Sequence, residues 1–390
     1  MDKELNKRDV LLDSIRDKIR NAKNPFLFFD TDTDGAMCYY QLKSLNSNLK
    51  GFPYYKDEGK QDYLISKIDE SYDLILFFDV AKVDRKILDY CKNREIIWVD
   101  HHIVDVDNLV SDFGVLYFNP LDFDSHDNRP CSYWAYILSE DKSNLSYCVV
   151  GCVSDFFLLD VIEDFCEVYP DFSRVLINID ENEFSSLFKV IKSNKDFSGN
   201  QYEVREWTKY LCFSTRLFEL KLFFEMYFKF DFDLIEKTLN DVFNKDIVGL
   251  LEEISGEKKE PFIRFAKIKS DIEYHLSECY KKNSGESIAY YFQGRSDMSL
   301  SRQISESYIN RYREVEVIIV SHIKNSKDNA SFSVRSKSVP IRDIYVDELK
   351  KLGGVGGGHD LAVGGYIDKK YLDKFVNNFI ARCSEFIDKN

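Results

Sequence analysis

The chain has 390 residues, 44% of them hydrophobic and 15% aromatic, which suits two or three domains better than a single core. No apolar run approaches the roughly 20 residues that span a bilayer, and Met1-Asp2-Lys3-Glu4 does not open a signal peptide, so a cytoplasmic protein without a membrane partner is expected. A formal net charge of −14 opposes a broad, sequence-independent grip on duplex DNA, which is made by many lysine and arginine contacts to phosphate.

Nine cysteines, an odd number with no Cys-x-x-Cys pair, read as reduced thiols used as small apolar residues. Residues 3–21 space leucines and isoleucines among charges as an amphipathic helix does. Next comes Pro25-Phe26-Leu27-Phe28-Phe29, a run of strand length that stops on Asp30-Thr31-Asp32-Thr33-Asp34-Gly35. Gly35 allows a tight turn, and Ala36 to Leu45 has helix-forming composition, so Asp34 falls at a helix start, where carboxylates are favoured. Leu74–Phe78 stops on Asp79 in the same way, and Ile96-Ile97-Trp98-Val99 stops on Asp100-His101-His102.

One aspartate after a strand is ordinarily a turn former or helix cap. Three strands ending in potential ligands, one with acids on alternate residues, are hard to explain as turns. In open α/β sheets ligands collect beyond the carboxyl ends of the strands. Five carboxylates and two imidazoles facing one point repel or stay unpaired without cations, and mixed Asp/His donors suit Mn²⁺ or a similar metal.

Further on, Tyr117-Phe118-Asn119-Pro120 and a polar stretch ending Arg129-Pro130-Cys131-Ser132 lead to a helix expected over Tyr133–Leu138. His126, a lone imidazole in that polar loop, reads as solvated. Val149-Val150-Gly151-Cys152-Val153-Ser154 is an apolar segment ending on Asp155. From Glu163 to Phe265 the chain is rich in aromatics and charges. There Trp207–Phe230, with Phe213, Leu217, Leu220, Phe224 and Tyr227 on related faces, reads as packed helices in preference to a base-stacking platform.

Residues 276–390 carry a second α/β pattern, with strands expected over 288–292, 315–321, 330–334 and 361–367 and helices over 300–312, 344–352 and 371–386. Seven of the 17 glycines fall between 353 and 365. Gly356-Gly357-Gly358-His359 reads as a loop whose backbone N–H groups approach phosphate.

Asp-x-Asp-x-Asp-Gly, a strand-ending Asp79, Asp100-His101-His102, a lone Asp155 and the glycine-rich stretch 356–365 together resemble the motifs of the DHH phosphoesterases. That superfamily includes RecJ-type nucleases, nanoRNases and family II pyrophosphatases. The Asn119-Pro120 segment is similar to the RecJ-like branch.

The resemblance implies an α/β fold with a doubly wound parallel-sheet catalytic domain (1–162), a helical connecting segment (163–275) and a smaller C-terminal DHH-associated domain (276–390) that closes over the substrate. It implies two Mn²⁺ ions, with Mg²⁺ as the alternative. Asp30 and Asp32 would serve the first ion, Asp34, His101 and Asp155 the second, and Asp79 both. Many relatives carry a histidine in the first motif, where Asp30 or Phe28 stands in this sequence.

By the same resemblance Asp100 would orient His101 and His102 would face the substrate. Arg335, Gly356, Gly357, Gly358 and His359 would hold a second phosphate or a nucleic-acid end. The activity implied is hydrolysis of single-stranded DNA or RNA, or of short oligonucleotides, to mononucleotides. The alternatives are a catalytically weak subunit bound to replication or repair proteins and a phosphodiesterase for cyclic or linear dinucleotides.

Overall fold

The computed structural model describes residues 2–168 except 56–59, 105, 128, 158 and 159; 182–186, 189, 212, 220, 221 and 223; and 260–389 except 297, 326 and 327. The chain divides into two compact units, Met1–Gly256 and Glu257–Asn390.

The first unit runs α1 (Asp2–Asn21), β1 (Pro25–Asp30), α2 (Thr33–Leu45), β2 (Lys50–Tyr54), α3 (Gln61–Ile65), β3 (Leu74–Phe78), α4 (Arg85–Cys91), β4 (Glu95–Val99), α5 (Asp107–Phe113), β5 (Leu116–Phe118), α6 (Cys131–Ser139), α7 (Leu145–Ser154) and α8 (Ile162–Val168). Its sheet has the order β2-β1-β3-β4-β5, and every pairing is parallel. Every residue of β1 and β3 is buried, which explains why both read as unbroken apolar runs: parallel strands are covered on both faces. Phe28 on β1 stacks on Phe77 of β3 with ring centroids 5.5 Å apart.

From β1 the chain crosses to β2 on one side, and from β3 it crosses to β4 on the other. Right-handed crossovers therefore place α2 and α4 on opposite faces, the doubly wound arrangement expected from the sequence. The strand order reverses between β1 and β3, and the crevice at the carboxyl ends of those two strands is where such sheets bind ligands.

The second unit runs α9 (Glu260–Asn283), β6 (Ile288–Ser296), α10 (Ser301–Arg311), β7 (Val317–Lys324), β8 (Asn329–Ser336), α11 (Ile341–Lys351), β9 (Val355–His359), β10 (Ala362–Asp368) and α12 (Leu372–Ile387). Its sheet has the order β6-β7-β8-β10-β9, parallel only between β6 and β7. Val317, Ile319, Val334, Tyr345, Phe375 and Phe379 form its core.

The glycine-rich segment is a strand and not the open loop expected. Gly356–His359 pair with β10, and the absence of side chains lets the two backbones close on each other. A Cβ on Gly365 would lie 2.4 Å from Val355 O and 2.6 Å from Gly356 Cα. Helix α9 runs through the boundary expected between residues 275 and 276. The packed helices expected over 207–230 fall outside the described residues apart from Cys212, Leu220, Lys221 and Phe223, which are helical. No described helix is long and apolar enough to cross a membrane.

Candidate metal centre

Asp30 is the last residue of β1, and Asp32 caps α2 by accepting a hydrogen bond from Gly35 N at 3.2 Å. Helix α2 begins directly against the end of its strand. A Cβ on Gly35 would lie 2.6 Å from Asp30 N and 2.7 Å from Asp30 O, so only glycine permits this entry. Asp34 is fully buried in the first turn, where its oxygens accept from the backbone of Cys131 and Ser132 at 2.8 Å each. The start of α6 thus fixes Asp34, as helix N-termini do for anions. Helix α7 approaches α6 closely at Gly151, where a Cβ would meet Ser132 Oγ at 2.3 Å, and it ends at Asp155.

Asp79 follows β3 and continues its ladder by donating from N to Val99 O at 3.0 Å. It then turns the chain at a φ of 61°, a left-handed conformation that aspartate tolerates better than most residues. His101 and His102 follow β4 and diverge. His101 Nε2 lies 3.3 Å from Asp79 Oδ1 and 3.3 Å from Asp155 Oδ2. His102 Nδ1 lies 2.7 Å from Asp100 Oδ1. This corrects the expected pairing of Asp100 with His101. Asp100 and His102 are two residues apart beyond the strand end and point the same way, whereas His101 between them points to the other acids.

Two sets of donor atoms each fall within 4.8 Å of one another: Asp30, Asp32 and Asp79 in one, Asp34, His101 and Asp155 in the other. Asp79 also groups with His101 and His102, and with Asp34 and Cys131, so it stands between the sets. Both oxygens of Asp79 and Nε2 of His101 are buried without a hydrogen-bond partner among the described residues. Buried polar atoms are ordinarily satisfied, and their convergence here fits a cation.

The charges agree. Burial, then Asp155 and Asp32, push the Asp34 carboxyl well above its usual range. Burial, then Asp32, Asp34, Asp30 and Asp155, do the same to Asp79. Burial also raises Asp155, against the pull of His101 and Lys221; its side chain keeps 32% of its exposure, which tempers the rise. Burial lowers His101, keeping its ring neutral and able to act as a ligand. Asp100 is held below its usual range although burial opposes this, because His102 supplies a hydrogen bond and charge. Divalent cations would relieve the repulsion among the raised acids, and oxygen with imidazole donors suits Mn²⁺ or Mg²⁺.

Residues 285–387 match the DHHA1 domain family. Over 98% of the chain the structure is similar to RecJ from Thermus thermophilus in complex with Mn²⁺, with a TM-score of 0.62 at 16% identity. The chain has the RecJ-like DHH fold. It spans 55% of that Thermus protein's length. An exonuclease RecJ bound to manganese is similar over 96% of this chain and 93% of its own, with a TM-score of 0.56 at 15% identity. The DHH domain of a protein described as a member of a ribosomal-protein family is similar over 97% and 91%, with a TM-score of 0.56 at 12% identity. No curated protein matches the sequence.

Within this DHH fold, Asp30, Asp32, Asp34, Asp79, His101 and Asp155 come together at the β1/β3 switch point, with Asp100 and His102 beside them. Arg335 lies in the DHHA1 unit on β8, and Gly356, Gly357, Gly358 and His359 lie on β9. His126 is exposed, as expected.

Three features escaped the sequence reading. The Cys131 and Ser132 amides that cradle Asp34 carry no side-chain signal. Asn119, singled out only by its place in the Asn-Pro segment and given no contact, donates from Nδ2 to His102 O at 2.9 Å and accepts from Leu121 N at 3.0 Å. Lys221 lies in a stretch whose only visible pattern was helical periodicity.

Proposed function

We propose that this protein is a metal-dependent phosphodiesterase that releases mononucleotides from single-stranded DNA or RNA, or from short oligonucleotides. The observation that carries this is Asp79, buried between two sets of ligand atoms with neither oxygen hydrogen-bonded among the described residues. Asp30 and Asp32 would hold one ion and Asp34, His101 and Asp155 the other, with Asp79 serving both. Two Mn²⁺ ions, or Mg²⁺ in their place, would supply charge neutralisation at the phosphate and activation of water when bound there.

The protein's own groups do the rest. Asp100 holds His102 by Nδ1, which directs Nε2 to a phosphate oxygen or to the leaving oxygen, where it gives up a proton. Asn119 fixes the His102 backbone. Arg335 and the segment Gly356–His359 bind a phosphate remote from the scissile bond.

The RecJ structures support nucleic acid as the substrate class, since the protein named as an exonuclease shares this fold. The test is to incubate the purified protein with Mn²⁺ and end-labelled DNA and RNA of several lengths and to resolve the products. Mononucleotides released stepwise from an end support the proposal. Intact substrate at every length, with Mn²⁺ bound, excludes it.

A further inference from the structure

Lys221 is 3% exposed, a rare position for an ammonium group, and two contacts tie it to the metal centre from opposite ends of the ligand set. Thr33, between Asp32 and Asp34, donates from Oγ1 to the Lys221 carbonyl at 3.1 Å. At the other end, Lys221 Nζ lies 4.9 Å from the centre of the Phe156 ring, and Phe156 directly follows Asp155. The chain turns at Phe156 with a φ of 57°, a conformation that costs a bulky residue energy and is kept only where surroundings impose it. The Lys221 charge reaches Asp155, where it opposes the effect of burial on that carboxyl.

We infer that Lys221 is a built-in cation of the metal centre, one that moderates the affinity of the acidic site for divalent ions and offsets its residual negative charge. The inference rests on the assignment of Asp30, Asp32, Asp34, Asp79, His101 and Asp155 as ligands. Five carboxylates facing two divalent ions leave one negative charge, and one ammonium cancels it. Without that ammonium the loaded centre would meet a phosphodiester anion with a net negative charge. Lys221 is therefore a positioning group, acting through Asp155 and the ions.

The sign of the effect separates this role from a structural one. A residue that merely props the site up loosens metal binding when it is removed. A buried positive charge repels the ions, so its removal tightens binding, on the order of three- to tenfold for a unit charge several ångströms from a divalent ion in a high effective dielectric.

The experiment is calorimetric Mn²⁺ titration of the metal-free full chain, as wild type and as Lys221→Met, Lys221→Gln and Lys221→Arg. The neutral variants should bind Mn²⁺ more tightly than wild type, and Lys221→Arg should stay within about twofold of it because the charge is retained. Unchanged or weaker binding in the neutral variants overturns the inference. Should neither neutral variant fold, Lys221→Arg decides, and a departure beyond that twofold overturns it. Wild type that takes up no Mn²⁺ at all overturns the ligand assignment itself and the role of Lys221 with it, an outcome distinct from a wild type that binds while the neutral variants bind no better.

Discussion

Asp100 reaches past its chain neighbour to His102: Oδ1 of the one lies 2.7 Å from Nδ1 of the other, while His101 between them points to Asp79 and Asp155. Two adjacent imidazoles thereby have different partners. On the proposed reading His101, kept neutral by burial, would serve as a ligand, and His102, held at Nδ1 by a carboxylate, would exchange a proton at its other nitrogen.

The two alanine variants should therefore fail differently. His101→Ala should weaken Mn²⁺ binding by about 10- to 100-fold. His102→Ala should keep its metal and lose roughly 10²- to 10⁴-fold in kcat. Mn²⁺ titrations set beside single-turnover rates make the comparison, and equal metal loss in both variants would contradict the division.

Asp79 gives a prediction in pH. Burial and the charges of Asp32, Asp34 and Asp30 raise its pKa in the folded chain well above the ordinary 3.8. A raised folded value means that its contribution to stability is full while it is protonated, below the unfolded value, and is lost as pH climbs through the folded one. With metal chelated, Asp79→Asn should thus be about 1–3 kcal/mol more stable than wild type at pH 8, and the gap should close toward about pH 4. Denaturant unfolding in the presence of chelator measures it. The same variant should have no hydrolytic activity, and near-normal turnover at saturating Mn²⁺ would remove Asp79 from the centre.

Asn119 links the loop after β5 to the Asp100–His102 pair. Asn119→Ala loses the bond to His102 O and the cap on Leu121 N, which should cost about 1–2 kcal/mol of stability. Because the ligands are untouched, Mn²⁺ affinity should stay constant while kcat falls about tenfold, the loss expected from a misplaced proton donor. A variant with wild-type kcat would show that His102 needs no such support.

How far the sequence discloses this molecule depends on burial. The strands that end in the clustered acids and histidines, β1, β3 and β4, lie inside the sheet, and their unbroken apolar runs make them visible. Edge strand β2 did not stand out, because Lys50-Gly51-Phe52-Pro53-Tyr54 mixes polar, glycine and proline residues that only an edge accepts. Strand β9 was concealed by its own glycines, which serve close backbone packing against β10 and not a loop. The acidic motif residues announced themselves by position, but the partner of Asp100 could not be read, since it depends on how the chain turns beyond β4. The amides that hold Asp34 leave no trace in the sequence, and Lys221 is one lysine among many until the fold buries it.

Gly35 tests the entry to α2. The added Cβ of Gly35→Ala would press on backbone atoms of Asp30, which cannot rotate away as a side chain can. Separation of α2 from β1 should cost about 1–3 kcal/mol and move Asp30 relative to Asp32, so Mn²⁺ affinity should fall with stability. Thermal unfolding with and without Mn²⁺ reads both, and a variant as stable as wild type in each condition would show that the helix start can shift freely.

Arg335 and His359 occupy equivalent places on either side of one residue, since Ala362 of β10 pairs with Arg335 on β8 and with His359 on β9. Arg335 is half-buried and donates from Nη1 to Val334 O at 3.0 Å and Ser333 Oγ at 3.3 Å, which steadies the guanidinium. Such a group suits a phosphate held at a distance from the scissile bond. Anchoring energy from a remote group is used partly to position the reacting phosphorus, so its loss should lower the rate as well as the affinity. Arg335→Ala removes one charge-assisted contact, on the order of 1.5–3 kcal/mol, and oligonucleotide turnover efficiency should drop about ten- to a hundredfold. Bis-p-nitrophenyl phosphate has no second phosphate to anchor and should be hydrolysed almost as well by the variant as by wild type. Equal proportional losses on both substrates would mean that Arg335 serves the reaction centre or the fold, and that the remote phosphate is held by other groups.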